Sequence, residues 1–253
     1  MNDTAVMAAV MKNGRRILSI TLCSALLTGA TLFPSTLFAY EEGDIILRFG
    51  PTLVSPDDSS SDLVANNLGN LTQALGGKTG VGVDDNTQPG ITATYMLSGH
   101  LGLELLAATP FEHDISAVGV GGLGVYSVGD TKQLPPTLSL LYFPAATSSA
   151  WQPFVGIGIN YTVFFDESTS GNFESVFGDS SISLDDSWGL AARLGVDYNF
   201  NDNWGMTASV WWIDIDTDAT VKSPSGAGLG VTELKVSAQV DPAVFLVGLN
   251  YRF

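Results

Sequence analysis

Long runs in which apolar side chains occupy every second position constrain this chain more than any other feature. In Trp188–Phe200 all even positions are apolar, and the odd positions carry Gly, Ala, Arg, Asp and Asn. Similar alternation occupies 101–108, 155–165 and 245–253. Because successive side chains of a β-strand point to opposite faces of a sheet, the pattern predicts strands with one apolar face.

The length of the apolar face indicates where it points. Trp204 and Trp212 border one such face, and Asp214, Asp216 and Asp218 continue it. Eight residues of a tilted strand cover roughly 21 Å, close to the ~25 Å apolar band of a transmembrane barrel with aromatic borders. The opposite faces are rich in glycine. This favours a barrel whose apolar face contacts lipid and whose small or polar residues face the lumen.

The composition excludes several classes of protein. Hydrophobic residues make up 45% of the 253 residues and charged residues 14%, which is too apolar for a disordered chain. Only 10 basic residues stand against 26 acidic ones, so a nucleic-acid partner is not expected. A single cysteine excludes a disulfide scaffold and a cysteine-based zinc site.

The first 39 residues have the pattern of a secretory signal peptide. Three basic residues precede an apolar run over 17–33, and a cleavage point follows at Ala39. An uncleaved membrane anchor is the alternative, because the run approaches the length of a spanning helix. Residues 1–10 are interpreted as an upstream-start artefact. The remaining residues, 40–253, are expected to form one domain.

Eight alternating segments are predicted after the signal. They cover about 44–55, 82–98, 100–116, 130–143, 151–166, 183–200, 203–219 and 231–253. Short connections alternate with long ones, as in bacterial outer-membrane barrels with both termini in the periplasm. The sequence therefore predicts an all-β, eight-stranded antiparallel up-and-down transmembrane β-barrel in the outer membrane of a Gram-negative bacterium.

Six strings along the chain resemble the outer membrane protein W family. They are 105–111 (LLAATPF), 134–138 (LPPTL), 158–166 (GINYTVFFD), 186–189 (DSWG), 209–217 (SVWWIDIDT) and the terminal Tyr251-Arg252-Phe253. The resemblance implies an eight-stranded barrel whose narrow hydrophobic lumen is proposed to pass small hydrophobic compounds. The first long loop, 57–80, departs from the family pattern. Val64, Leu68, Leu71 and Leu75 lie in it at helical spacing and predict a short surface helix.

Strand parity assigns two sets of residues to the lumen. The first set is expected to form an ion-paired floor near the periplasmic end, because unpaired charges away from water are costly: Arg48, Glu104, Arg193, Asp197 and Arg252. The second set is expected to form a small or apolar pocket above the floor: Thr92, Thr94, Leu106, Asn160, Phe164, Ser209 and Trp211. Ordinary lumen packing without a role in transport is the alternative.

A closed floor below an apolar pocket predicts passive uptake of small hydrophobic molecules, with entry from outside and sideways exit into the bilayer. Pro135 and Pro136 are expected to weaken the wall there, since proline removes ladder hydrogen bonds. A non-transporting structural or surface-recognition barrel is the alternative function. The expected partners are outer-membrane lipopolysaccharide and phospholipid, small hydrophobic solutes, and the barrel-assembly machinery, for which Tyr251 and Phe253 are the expected signal.

Three motifs invite other functions but lack part of the required pattern. Gly119–Gly124 matches G-x-G-x-x-G without a βαβ context, so no dinucleotide or other cofactor is expected. The Asp214, Asp216 and Asp218 triplet lacks the glycine and glutamate of a calcium loop. A solvated acidic rim and a divalent-cation site shared with lipopolysaccharide phosphates both remain open for it. Of the two histidines, His100 lies in a predicted periplasmic turn, and His113 lacks a serine partner in sequence, so an enzyme is not expected.

Overall fold

The structure, a computed structural model, describes residues 40–57, 59–66, 69–70, 80–118, 125–146, 149–223 and 232–253. The predicted signal peptide and the Gly119–Gly124 motif lie outside these residues. One helix in the described part, α1, spans Gly171–Phe177, and Ser170 caps its N-terminus by accepting from the Phe173 amide. No described helix has the length and apolarity needed to cross a membrane.

The described strands are β1 (Ile45–Ser55), β2 (Ser59–Ser60), β3 (Val64–Ala65), β4 (Gly69–Asn70), β5 (Gly80–Val83), β6 (Asn86–Ser98), β7 (Leu101–Ala108), β8 (Phe111–Val118), β9 (Val125–Leu134), β10 (Thr137–Tyr142), β11 (Trp151–Thr169), β12 (Ser181–Leu184), β13 (Ser187–Asn199), β14 (Trp204–Ile213), β15 (Asp216–Lys222), β16 (Glu233–Gln239) and β17 (Ala243–Arg252).

Eight of these strands pair antiparallel into a closed ring. The order is β1, β6, β7, β10, β11, β13, β14 and β17, and β17 pairs back with β1. Each strand lies beside its neighbour along the chain, so the barrel has the predicted up-and-down topology, and the predicted fold class is confirmed. Closure leaves no unpaired edge in this part of the wall.

Both described ends of the chain lie at the same end of the barrel. The Phe253 amide donates to the Ile45 carbonyl at 3.0 Å. The short turns after β6, β10 and β13 lie at this end as well. We call it the periplasmic end and the opposite end the extracellular end. Outward-facing aromatic pairs mark the periplasmic border, including Trp151 with Tyr198 and Trp204 with Tyr251.

The apolar face of each strand points outward, as the alternation predicts. Ile157, Trp188 and Leu190 are 73%, 71% and 70% exposed. Ala191 and Arg193, on the opposite face of the strand that carries Trp188 and Leu190, are buried. Trp204 and Trp212 both lie on the outer surface. A soluble barrel would bury these side chains, so this arrangement fits a wall in contact with lipid.

Six of the eight predicted segments continue further toward the extracellular end in the structure, all except the first and the last. Most are interrupted near one level, for example between Ala108 and Phe111 and between Leu134 and Thr137, and then resume as β8 and β9. Sequence alternation fades above the interruption because the outer face there no longer needs to be apolar. These six predicted segments were therefore too short at this end.

The predicted helix in the first long loop is wrong where the structure describes it. Val64–Ala65 is a strand that pairs with Lys235 and Leu234 of β16 and with Gly69–Asn70. The backbone there finds its hydrogen-bond partners in an adjoining strand, so it has no need of an intrahelical ladder. Leu68, Leu71 and Leu75 lie outside the described residues.

Candidate functional site in the lumen

Four charged side chains meet inside the periplasmic half of the barrel. Arg48 of β1 lies 2.7 Å from Asp197 of β13 and 3.1 Å from Glu104 of β7. Arg193 of β13 forms an ion pair with Glu104. All four side chains are at most 3% exposed. Two cations thus balance two anions, which is the condition under which charges can remain ionised away from water.

Two hydroxyl groups complete this layer. The Tyr40 hydroxyl donates to Asp197 Oδ2 at 2.7 Å. Thr94 Oγ1 accepts from Arg48 Nη1 at 2.6 Å and donates to Glu104 Oε2 at 2.9 Å. The assignment of Thr94 to the apolar pocket is therefore wrong, because its hydroxyl serves the charged groups. Sequence reasoning missed Tyr40, which precedes β1 and so falls outside any alternating run.

Aromatic rings enclose the Arg193 guanidinium. Its carbon lies 4.7 Å from the centroid of Phe154 and 4.0 Å from that of Trp211. Arg193 Nη2 also donates to Ser209 Oγ at 3.2 Å, so Ser209 belongs with the charges and not with the apolar pocket. Trp211 therefore marks the boundary between the charged layer and the region above it. We call Tyr40, Arg48, Thr94, Glu104, Arg193 and Asp197 the floor.

Arg252 does not belong to the floor, contrary to the prediction. It is partly exposed at the periplasmic rim, where Nε donates to the Asp202 carbonyl at 2.7 Å and Nη1 lies 3.7 Å from Asp44. As the last residue of β17, it lies at the rim and is not enclosed by the lumen. Tyr251 and Phe253 make an edge-to-face contact on the outer border, with ring centroids 4.6 Å apart.

An apolar cluster fills the lumen above the floor. The buried side chains that define it are Val54, Leu106, Phe111, Phe164, Ala191, Trp211, Ile213, Ile215, Val240, Val244 and Leu246. Leu106, Phe164 and Trp211 are predicted pocket residues, and the structure brings them together. Sequence reasoning missed Phe111, although its parity in β8 places it inward.

The two remaining predicted pocket residues are polar and buried. Asn160 donates to Thr137 Oγ1 of β10 at 2.9 Å and accepts from Thr162 of its own strand at 2.7 Å, so both ends of its amide have partners. Thr92 is fully buried, and its hydroxyl has no hydrogen-bond partner among the described residues. Neither residue makes the lumen continuous with water.

Two adjoining enclosed cavities lie toward the extracellular end. The upper one, about 40 Å³, is lined only by apolar side chains, including Phe173 and Phe177 of α1. The lower one, also about 40 Å³, reaches down to Phe164 and includes His113 and Gln133. Pockets for drug-sized ligands have roughly 300–1,000 Å³, so a solute of that size must displace lining side chains here.

The wall is interrupted beside the apolar cluster. Between β7–β8 and β9–β10, pairing stops at Leu106 with Thr137 and resumes at Phe111 with Gln133. No hydrogen bond joins residues 107–110 to residues 134–136, all of which the structure describes. Pro110, Pro135 and Pro136 lie in this interval and cannot donate a backbone hydrogen bond. We call this interval the seam.

Comparison with known proteins identifies the family. Residues 41–253 match the OmpW family. The chain is 42% identical to outer membrane protein W of Vibrio cholerae serotype O1, over 92% of this chain and 99% of that protein. The chain belongs to the OmpW family. It is an outer-membrane barrel of a Gram-negative bacterium.

Solved structures agree with this membership. The crystal structure of the outer membrane protein OprG from Pseudomonas aeruginosa superposes with a TM-score of 0.78 at 42% identity, covering 86% of this chain and 99% of that one. A more distant relative is the dibenzothiophene metabolism operon protein PahQ of Pseudomonas aeruginosa. It is 27% identical and covers 53% of this chain and 57% of that protein.

Outside the lumen, this OmpW-family chain carries a cluster of three exposed carboxylates. Asp214, Asp216 and Asp241 have oxygens within 4.8 Å of one another, whereas Asp218 is not part of the cluster. A solvated acidic rim and a divalent-cation site both fit this geometry.

The two histidines contact backbone carbonyls. His100 Nδ1 lies 2.8 Å from the Phe143 oxygen, and His113 Nδ1 lies 2.7 Å from the Asp84 oxygen. Within the described residues, neither ring is hydrogen-bonded to a serine hydroxyl or to a carboxylate. This is not the arrangement of a nucleophile activated by a base.

Proposed function

We propose that this protein is a passive channel through which small hydrophobic molecules cross the outer membrane. The solute enters the apolar upper lumen from outside and leaves sideways through the seam into the bilayer. The observation that carries the proposal is the position of the seam. This stretch of wall without cross-strand pairing lies at the level of the apolar cluster and above the floor.

The upper lumen favours apolar solutes over water. Its lining is the side chains of the apolar cluster and the two cavities, which offer few polar partners. Transfer of apolar surface from water to such a lining gains roughly 25 cal/mol per Å². A polar solute would lose its hydration without replacement hydrogen bonds, so the lumen discriminates against it.

The floor argues against a path along the barrel axis. Arg48, Glu104, Arg193 and Asp197 fill the section with ion pairs, and Phe143 and Phe154 pack beneath them. Passage through this layer would separate buried charges, which costs several kcal/mol for each ion left unpaired. The seam requires no such separation, because its backbone groups are not paired across the wall.

A named relative supports this class of solute. PahQ is described as a protein of a dibenzothiophene metabolism operon. Dibenzothiophene is a fused aromatic compound without a strong hydrogen-bonding group. We propose solutes of the same chemical class for this chain, because they match the apolar lining of its lumen.

The test is uptake into vesicles whose outer leaflet is lipopolysaccharide, because plain phospholipid bilayers admit hydrocarbons unaided. Naphthalene is added outside, and its fluorescence is quenched when it reaches brominated acyl chains. Wild type should accelerate quenching over protein-free vesicles. Leu106→Asp should remove most of the acceleration, because a carboxylate then occupies the apolar cluster.

Leu106→Met is the matched control, since it keeps the volume and the apolar character and should behave like wild type. Equal rates for wild type, Leu106→Asp and protein-free vesicles would contradict the proposal. That result would favour the second candidate, a structural or surface-recognition barrel without transport. The small volume of the two closed cavities is the observation that favours this second candidate.

The proposed partners follow from the location. The exposed apolar band contacts phospholipid tails and the acyl chains of lipopolysaccharide. Tyr251 and Phe253, at the outer border of the last strand, are proposed as the signal for the barrel-assembly machinery. No catalytic step is part of the proposed function.

A further inference from the structure

The lower cavity of the upper lumen has one polar corner. His113 of β8 and Gln133 of β9 form it, and both side chains are 2% exposed. Apart from Thr131 and Thr217, the rest of the lining is apolar, as at Ile115 and Phe164. A buried amide and imidazole in such surroundings are costly unless their polar atoms have partners.

The Asp84 carbonyl determines the protonation of the His113 ring. Nδ1 lies 2.7 Å from this oxygen, which can only accept, so Nδ1 carries the hydrogen. In the neutral ring Nε2 then has a free lone pair. It lies 3.0 Å from Gln133 Nε2 and accepts a hydrogen bond from that amide. This pairing fixes the orientation of the Gln133 amide.

The fixed orientation leaves Gln133 Oε1 on the other side of the amide. No hydrogen bond to Oε1 is present among the described residues. Gln133 lines the cavity, and the hydroxyl of the nearby Thr131 lies 3.5 Å from the Lys132 carbonyl and does not reach Oε1. Gln133 Oε1 is thus an acceptor in the lining residue Gln133 to which no described group donates.

We infer that the polar corner is a binding subsite for apolar solutes that carry one hydrogen-bond donor, such as phenols and simple alcohols. The solute hydroxyl donates to Gln133 Oε1. Its hydrocarbon part extends into the upper cavity, which shares Val81, Ile115, Ala219 and Val236 with the lower one. The inference rests on the proposed uptake function and names the class of solute that the lumen holds best.

The test compares 4-fluorophenol with 4-fluorotoluene, which have nearly the same shape and differ in the donor. Binding to the folded barrel in lipid nanodiscs is followed by ¹⁹F NMR titration. The ratio of the two dissociation constants is compared between wild type and variants, so that partitioning into lipid cancels. Gln133→Leu should reduce the relative preference for the phenol about fivefold, as expected for one neutral hydrogen bond.

Thr131→Val is the matched control. It removes a hydroxyl from the same cavity and should leave the ratio unchanged. Gln133→Met, which keeps the length of the side chain, replaces Gln133→Leu if the latter loses the heat-sensitive electrophoretic shift of a folded barrel. The inference is overturned if wild type and the folded Gln133 variant give the same ratio.

Failure of the inference can be told apart from failure of the proposed function. Naphthalene has no donor, so its uptake should be the same in Gln133→Leu and in wild type. Unchanged ratios with normal naphthalene uptake would remove the subsite and leave the channel. Absence of naphthalene uptake in wild type would remove the channel, whatever the ratios are.

Discussion

At the scale of single residues, the floor shows how charges remain buried in a barrel this narrow. Arg48 contacts Asp197 and Glu104, and Arg193 contacts Glu104, so each charge has an opposite partner. The rings of Phe154 and Trp211 cover the remaining faces of Arg193. The stability of the lower barrel therefore depends more on the equal number of buried cations and anions in the floor than on any single ion pair.

Removal of one anion should destabilise the barrel strongly. Asp197→Asn keeps the shape but leaves two buried arginines with one carboxylate, which should lower the free energy of unfolding by about 3–5 kcal/mol. Urea unfolding in lipid vesicles measures this change. Lys132→Ala, which breaks the exposed pair of Lys132 with Asp166, is the control and should have little effect. Equal unfolding midpoints in both variants would contradict the role of the floor.

Strand parity predicted which residues face inward, but not which side chains they form hydrogen bonds or ion pairs with. It placed Arg48, Glu104, Arg193 and Asp197 inside, where the structure has them. It could not show that Thr94 and Ser209 hydrogen-bond to the charges, because this depends on heights along different strands. Arg252 has inward parity but lies at the rim, where the last residue of a strand is open to water.

At the scale of elements, the seam is one of several interruptions of the wall near this level. It differs from the neighbouring one between β6 and β7–β8, where the Thr109 amide donates to the Pro89 carbonyl. Alternation predicted the lower strands well, since their outer face must remain apolar against lipid. It failed above the interruption, where the outer face no longer has to be apolar and only the inner face remains so. The helix predicted at Val64 failed for a related reason, since helical spacing in a loop does not outweigh pairing with a neighbouring strand.

Restoring backbone donors at the seam should slow uptake. Pro135→Ala with Pro136→Ala returns two amide hydrogens, and one added hydrogen bond across the seam would slow exit about fivefold. The rate of naphthalene quenching in lipopolysaccharide-coated vesicles measures the effect. Pro153→Ala is the control, because Pro153 lies in β11 opposite Val196 and away from the seam. An unchanged rate in the double variant would argue against exit at this position.

At the scale of the whole molecule, the barrel is divided into two halves with different tasks. The periplasmic half is closed by charge pairs and aromatic packing, and the extracellular half encloses apolar space beside an unpaired stretch of wall. The alternating pattern could predict this division, because charged inward residues cluster in the lower strands. The lining of the upper cavity could not be predicted in full, since it includes Phe173 and Phe177 of α1, which belong to no alternating pattern.

The direction of exit is the central claim and can be measured directly. Vesicles coated with lipopolysaccharide contain brominated acyl chains as one acceptor of naphthalene and enclosed cyclodextrin as the other. We expect wild type to accelerate quenching by the acyl chains first. Naphthalene should then reach the cyclodextrin at the same rate as in a reference experiment in which it is loaded directly into the bilayer. Direct appearance of naphthalene in cyclodextrin, without prior quenching in the bilayer, would show a path through the floor and contradict sideways exit.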